Sequence, residues 1–418
     1  MTENQPTPMA EGRRKAAVGF IFATAVMDIL AIGIIIPVLP QLVRHFTGGD
    51  YASAAVYVGW FGLLFAAMQF IGSPIQGALS DRFGRRPVIL ISVFGLGFDY
   101  VLMALSPSLW WLFIGRAVSG LTSASFSTAN AYVADITPPE RRAAAFGLMG
   151  ASFGIGFILG PALGGFLGRY DPRLPFWAAA GLAFLNGCYG LFVLPESLPK
   201  ERRSAFSWRK ANPVGSFVLY RSHPELLGLA GVLFLFYLAH QVLQSTIVLY
   251  TGYRYGWDPQ MVGWNMAAVG VNSILVQTLV VKRFVARFGE RGALYAGLFS
   301  GAVGFAIFGL ATNSIGYWSG LPIFAFMGLV GPGVQGLMTR MVKPTEQGRL
   351  QGANSGVMAM AGLIGPILFT RIFAASIHGV AGHTIPGAAP YVASALLVAG
   401  LLLALWVTRG REAVAEAA

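Results

Sequence analysis

Gly77-Ala78-Leu79-Ser80-Asp81-Arg82-Phe83-Gly84-Arg85-Arg86 separates two apolar runs, one ending near residue 79 and the next beginning near 88. It sets one carboxylate among three guanidiniums, with glycines where a tight turn needs them. Arginines that only decorated a polar edge would not need Gly77, Asp81 and Gly84 at these spacings. A charge cluster of this kind can lock one arrangement of two halves of a protein and release it in another. The heart of the stretch recurs: Arg82-Phe83-Gly84 returns as Arg287-Phe288-Gly289, 205 residues later. Gly160-Pro161 returns as Gly365-Pro366 and Pro139 as Pro344, at the same offset. Three landmarks at one spacing, close to half the chain, indicate a duplicated unit.

What surrounds these landmarks is apolar. Of 418 residues, 29 are Lys or Arg and 17 Asp or Glu, so charged residues make up 11% against 55% hydrophobic. The mean hydropathy is +0.64. A water-soluble globular chain carries about 25% charged residues. A soluble enzyme, a disordered chain and a coiled coil are excluded on this ground. The net charge of +12 would suggest nucleic acid only if it formed a basic face on a soluble domain. Cys188 is the single cysteine, which excludes a disulfide framework or a Cys-based metal site.

Apolar runs predict twelve spans of about 20 residues or more, near 17–39, 56–79, 88–106, 109–134, 144–168, 175–195, 225–250, 260–282, 293–312, 316–342, 349–376 and 388–407. The first contains Asp28 and Pro37 to Pro40 and lacks a small-residue cleavage site, so it reads as a span and not a signal peptide. With a cytoplasmic N-terminus, 23 basic residues fall on that side and five (Arg44, Arg169, Arg173, Arg254, Arg371) on the other. The positive-inside rule therefore places both termini in the cytoplasm. The expected class is an all-α membrane protein of twelve transmembrane helices in two six-helix repeats. Residues 1–195 form the N-terminal bundle (N-half), 196–224 a cytoplasmic central loop, and 225–418 the C-terminal bundle (C-half). The basic residues of the central loop read as topology-setting charge, with a lipid- or partner-binding patch as the alternative. Parallel six-span repeats describe an alternating-access transporter.

Three charges lie deep in the spans, all in the N-half: Asp28, Asp99 and Arg116. A carboxylate at the membrane centre costs ~3 kcal/mol, so such groups are functional candidates. Asp28 and Asp99 are expected to handle protons or a cationic substrate group, with Arg116 as counter-ion. A structural buried ion pair is the alternative. The C-half has no deep acid; it offers His240, Gln241, Gln244, Asn272, Gln277, Gln335 and Asn354, which either line a substrate cavity or bond helices together. Span 5 carries Gly156, Gly160, Pro161, Gly164 and Gly165. Glycines four apart give a smooth face for close helix contact, and Pro161 bends the helix.

The 77–90 stretch resembles the signature loop of the major facilitator superfamily, and the span 5 pattern resembles the antiporter motif of its drug/proton exchangers. The first resemblance implies that Asp81 and Arg85 pair with an acid ending span 4, here Asp135, and that Arg82 and Arg86 share the gate. The second copy looks degraded, with Ala286 in place of Asp81 and Glu290 in place of Arg85. Across nearly the whole chain the likeness is to the tetracycline/proton antiporter group. It rests on Asp28-x-x-x-x-Gly33-Ile34-x-x-Pro37, Asp99-Tyr100, Gly115-Arg116, Ala131 to Thr137, Gly348-x-Leu350-Gln351-Gly352 and Gly365-Pro366-x-Leu368-Phe369-Thr370. It implies that Asp28, Asp99 and Arg116 are essential. The group's proton-transferring His in span 8 and Asp in span 9 fall here on Ser273 and Gly301. The C-half proton route is thus absent or moved, with His240 one place it could go.

The expected activity is proton-coupled efflux of amphiphilic small molecules such as tetracycline-like drugs, across a bacterial inner membrane. A transporter of the same fold for a metabolite, lipid or sugar-like solute, as importer or uniporter, is the other reading. No metal-ligand cluster, nucleophile–base motif or phosphate loop is present in the sequence, so neither an enzyme nor a cofactor is expected. The expected partners are the substrate, protons and membrane lipid, without nucleic acid.

Overall fold

In the computed structural model, residues 11–122, 125–138, 141–205, 218–343, 346–379 and 384–415 are described. The first half runs α1 (Glu11–Ile35), α2 (Leu39–Phe46), α3 (Tyr51–Phe83), α4 (Arg85–Ala104), α5 (Leu109–Thr122), α6 (Ser125–Ile136), α7 (Arg142–Gly168) and α8 (Leu174–Val193). After α9 (Val218–Ser222) come α10 (Leu227–Ser245), α11 (Ile247–Tyr255) and α12 (Pro259–Leu275). The π turn Val276–Val280 leads into α13 (Val281–Leu310), followed by α14 (Ser314–Ala325), α15 (Val330–Thr339), α16 (Gln347–His378) and α17 (Ala388–Ala415). No strand occurs among the described residues.

Ten stretches are long and apolar enough to cross a membrane among the described residues. One of them, Pro259–Leu310, holds two crossings, because Gly289 breaks it with φ 70°, ψ 177°. The fourth expected span is α5 and α6, which lie either side of residues 123–124. The twelve expected spans are thereby accounted for. The first crossing, Ile21–Phe46, runs through Pro37 and Pro40 into α2, where Pro40, Leu42 and Val43 are buried.

The duplication is visible in the backbone. Gly84 (φ 106°) and Gly289 (φ 70°) both adopt the left-handed region that a side chain resists. Pro161 lies inside α7 and Pro366 inside α16. Pro139 and Pro344 lie outside the described residues.

Two long contacts join the halves: α3 along α16, and α7 along α12. They are tight at the end carrying Asp50 and open at the end carrying Gly84. On α3, Gly59 meets Thr370 and Gly62 meets Pro366, Ala66 lies near Gly362, and Gly77 faces open space. On α7, Gly165 meets the Pro259 carbonyl and Gly154 lies against Ile274, whereas a Cβ at Gly150 or Gly147 would meet nothing within 4 Å among the described residues. Each series follows one helical face, so the halves splay apart progressively toward the Gly84 end. Arg169 Nη1 donates to Gln260 Oε1 at 2.9 Å across the closed end, and Arg371 lies over the Trp60 ring at 5.9 Å. A cavity of about 300 Å³ remains there, lined among others by Arg44, Tyr51, Trp257 and Asp258.

Candidate transport site

Close packing of α1 on α7 sets the position of the first carboxylate. A Cβ added at Gly156 would meet Ile29, one at Gly160 would lie 2.7 Å from Gly33 Cα, and one at Gly164 would strike the Ile34 backbone. Gly165 and the Pro161 carbonyl instead face α12, at Pro259 and Gly263. The span 5 pattern therefore has two faces: one fixes α1 within its own half, the other joins the two halves. Asp28 sits one residue before Ile29 on the helix so held. It is half-buried, and Asn186 Nδ2 of α8 donates to its Oδ1 at 2.9 Å and to the Thr24 carbonyl at 3.2 Å.

Asp99 on α4 is almost wholly buried, 2% exposed. Ser119 Oγ donates to its Oδ2, while its Oδ1 is buried with no hydrogen-bond partner. Gly115 leaves room for it: a Cβ there would lie 2.8 Å from Oδ1. Arg116 holds its guanidinium over the Phe65 ring at 4.2 Å, with Nε buried and unpartnered. Arg116 was expected as counter-ion to both carboxylates; among the described residues it forms no direct ion pair with either, and it acts on Asp99 through the low-dielectric interior at longer range. The buried phenol of Tyr100 is within electrostatic reach of Asp28, Asp99 and Arg116 together.

The gating residues gather into one network. Arg85 Nη1 donates to Asp81 Oδ1 at 2.5 Å and to Ser80 Oγ at 2.6 Å, and its Nε donates to Asp135 Oδ2 at 3.1 Å. Arg86 Nη2 donates to the Leu191 carbonyl at 2.7 Å. Arg82 is exposed over the Phe83 ring. Glu196, at the start of the central loop, accepts from the Arg85 amide at 2.9 Å and fills the space a Cβ on Gly84 would need. These partners all belong to the N-half or the central loop, in keeping with the open mouth at this end.

In the C-half, Tyr220 Oη donates to Asn354 Oδ1 at 2.7 Å, and Asn354 Nδ2 donates to Gln335 Oε1 at 3.1 Å. Asn272 Nδ2 turns back on the Ala268 carbonyl, and Gln277 Nε2 reaches the Gly328 carbonyl at 3.3 Å. Gln241 packs against Gly362 and Gly365. Gln244 is exposed, and His240 lies beside Phe236 with ring centroids 6.3 Å apart. The polar groups expected to form one substrate surface are thus spread over several contacts. Gly301, where the resembling group has an acid, is closed: a Cβ would lie 2.7 Å from Met327 and 2.8 Å from Leu397.

The second-half turn lacks the acid of Asp81 but keeps one ion pair. Glu290, in place of Arg85, pairs with Arg340, and Arg340 stands 205 residues after Asp135. The pair is kept with its signs exchanged. Sequence reading also passed over Asn186, Ser119 and Glu196. Asn186 could have been found by the rule that found Asp28, as a lone amide in an apolar span; nothing local marks Ser119.

The description "Major Facilitator Superfamily" matches residues 21–366 and, overlapping, 229–417. The chain belongs to the major facilitator superfamily. Within it, the chain is 40% identical to the tetracycline resistance protein, class C, of Escherichia coli, over 85% of this chain and 89% of that one. It is 36% identical to the class B protein of Escherichia coli, over 83% and 86%. It is also 32% identical to the hippocampus abundant transcript 1 protein of Mus musculus, over 81% and 69%. The fold matches the human organic anion transporter MFSD10 at a TM-score of 0.69, 23% identity and coverage of 96% and 100%. It matches the nucleoside transporter NupG at 0.73, 11% identity and coverage of 94% and 99%. This superfamily member is a multi-pass membrane transporter of small molecules.

Proposed function

We propose that this transporter exports amphiphilic small molecules, tetracycline-like drugs among them, in exchange for protons. The observation that carries the reading is the placement of Asp28 and Asp99 in the N-half on separate partners, Asn186 and Ser119, with no equivalent acid in the C-half spans. Asp99, buried and bonded to the neutral hydroxyl of Ser119, can take up a proton and release it when access changes. Two bundles, 1–195 and 225–418, joined by 196–224, rock about the α3–α16 and α7–α12 contacts. Asp81, Arg82, Arg85, Arg86 and Asp135 gate the Gly84 end, while Gly156 to Gly165 carry the hinge face. With both termini in the cytoplasm of a bacterial inner membrane, the open mouth faces inward and the closed Asp50 end outward. His240, Gln241, Gln244, Asn272, Gln335 and Asn354 supply the substrate-facing polar groups of the C-half. Resemblance to tetracycline resistance proteins at up to 40% identity supports the direction and the substrate class.

The test is ΔpH-driven transport of tetracycline and of a cationic dye in proteoliposomes. Asp28→Asn and Asp99→Asn are each expected to lose about a hundredfold or more, the lower end of a general acid–base contribution. Full ΔpH-driven activity in both variants would sink the proposal. The closed packing at Gly301 favours a second reading, a solute uniporter of the same fold. Undiminished net transport with the proton gradient collapsed would select it.

A further inference from the structure

The two copies of the 77–86 turn differ in where their cations go. At the offset of 205, Gly77, Ala78 and Asp81 become Lys282, Arg283 and Ala286, while Arg82 persists as Arg287. The first copy commits Arg85 and Arg86 to acceptors inside the protein. In the second, Arg283 gives one N–H to the Leu279 carbonyl at 2.8 Å, and Arg287 lies over the Phe288 ring at 5.5 Å. Lys282, Arg283 and Arg287 are all exposed, and none meets a carboxylate among the described residues.

The surface leading to these cations is apolar. Val271, Leu275 and Leu279 recur every four residues and are 46%, 49% and 52% exposed, and Phe288 beyond them is 57% exposed. An exposed apolar stripe on a membrane span faces acyl chains. Arg283 follows Leu279 by four residues, so the cations begin where the stripe ends. That order, hydrocarbon wall and then exposed guanidiniums, matches a lipid from tail to headgroup. Guanidinium groups suit phosphate because their fork presents paired N–H donors.

We propose that Lys282, Arg283 and Arg287 bind the phosphate headgroup of an anionic phospholipid whose acyl chain lies along Val271, Leu275 and Leu279. The lack of an acid at position 286 leaves these cations available, since an acid there would pair with Lys282 or Arg283 at helical spacing. The proposal rests on the chain's spanning a membrane and is independent of what it transports. A free phosphate ion would use the cations alone and gain nothing from the stripe.

The experiment is native mass spectrometry of the purified full chain in detergent, titrated with phosphatidylglycerol or with phosphatidylcholine of the same acyl chains. Each cation near an anionic headgroup contributes about fivefold. Lys282→Gln/Arg283→Gln/Arg287→Gln is therefore expected to weaken the tightest phosphatidylglycerol site roughly a hundredfold. Ala286→Asp, which keeps every cation and adds the first copy's acid, is expected to weaken it about fivefold. Lys200→Gln, at the same end of the molecule, should change nothing. Unchanged phosphatidylglycerol binding in the triple variant and in Ala286→Asp would overturn the proposal. So would equal retention of phosphatidylcholine by the wild type, or displacement of bound lipid by millimolar inorganic phosphate. If the triple variant does not fold, Ala286→Asp decides alone.

Discussion

At the Gly84 turn the N-half closes Arg85 onto Asp81 and Asp135, whereas at the Gly289 turn the C-half closes Arg340 onto Glu290. The backbone of the two turns is shared, down to the positive φ of the glycine, while the charges have changed places. An ion pair requires opposite signs within reach; it does not prescribe which helix brings which sign. The same contrast extends inward. The N-half carries Asp28, Asp99 and Arg116 within its spans, and the C-half fills the corresponding depth with amides, aromatics and close packing. A duplicated fold thus holds two different chemistries, because helix packing fixes the frame and leaves single polar positions to diverge.

The largest expected effect comes from forcing the C-half to resemble its tetracycline-resistance relatives. Gly301→Asp would set a carboxylate against Met327 and Leu397, combining a membrane-buried acid at ~3 kcal/mol with overpacking of about 1–3 kcal/mol. Thermal melting of the purified variant should show severe destabilisation or no folded protein, with Gly301→Ala much milder. A stable Gly301→Asp protein would mean that the C-half keeps room for an acid, and the contrast between halves would weaken.

A smaller effect tests the exchanged pair. Arg85→Glu alone gathers four acids at the N-half turn, Glu196 included, and transport is expected to fall roughly tenfold, equivalent to about 1.4 kcal/mol. Adding Asp135→Arg recreates the sign order of the Glu290–Arg340 pair, with Asp81 kept, and should recover most of the loss. Dye efflux under a fixed pH gradient, in a double-mutant cycle, measures this. No recovery would show that Arg85 is needed at the gate for more than its partner in α6.

The smallest effect lies at the closed end, where both halves start a spanning helix on an aspartate. Asp50 accepts from the Ala52 and Ser53 amides, and Asp258 from the Met261 amide at 2.8 Å. The Ser53 hydrogen bonds hold the Asp50 carboxyl below its usual range. Its stabilisation is therefore present above the ordinary carboxylate range and is lost as pH falls through the lowered value. Asp50→Ala should cost about 1 kcal/mol at neutral pH, and the deficit relative to wild type should shrink on acidification. Melting curves at neutral and acidic pH check both statements. A deficit that does not change with pH would remove the cap from the account.

The sequence alone determined that this chain crosses a membrane twelve times as two related halves. Hydrophobic run length, short basic connectors and three landmarks 205 residues apart are properties of the chain that need no tertiary contact. It also marked Asp28, Asp99, Arg116 and the Asp81–Arg85–Asp135 set, because a charge in an apolar run or a patterned turn stands out against its neighbours. The tertiary structure decided what those groups touch. Asn186 reaches Asp28 from 158 residues away, and Ser119 reaches Asp99 from a neighbouring helix. Glu196 closes on the Arg85 amide, Arg340 finds Glu290, and the halves part at one end only. Those facts depend on which helix faces meet. Apolar residues cover every face of a membrane helix, so periodicity carries little of that information, and only packing resolves it.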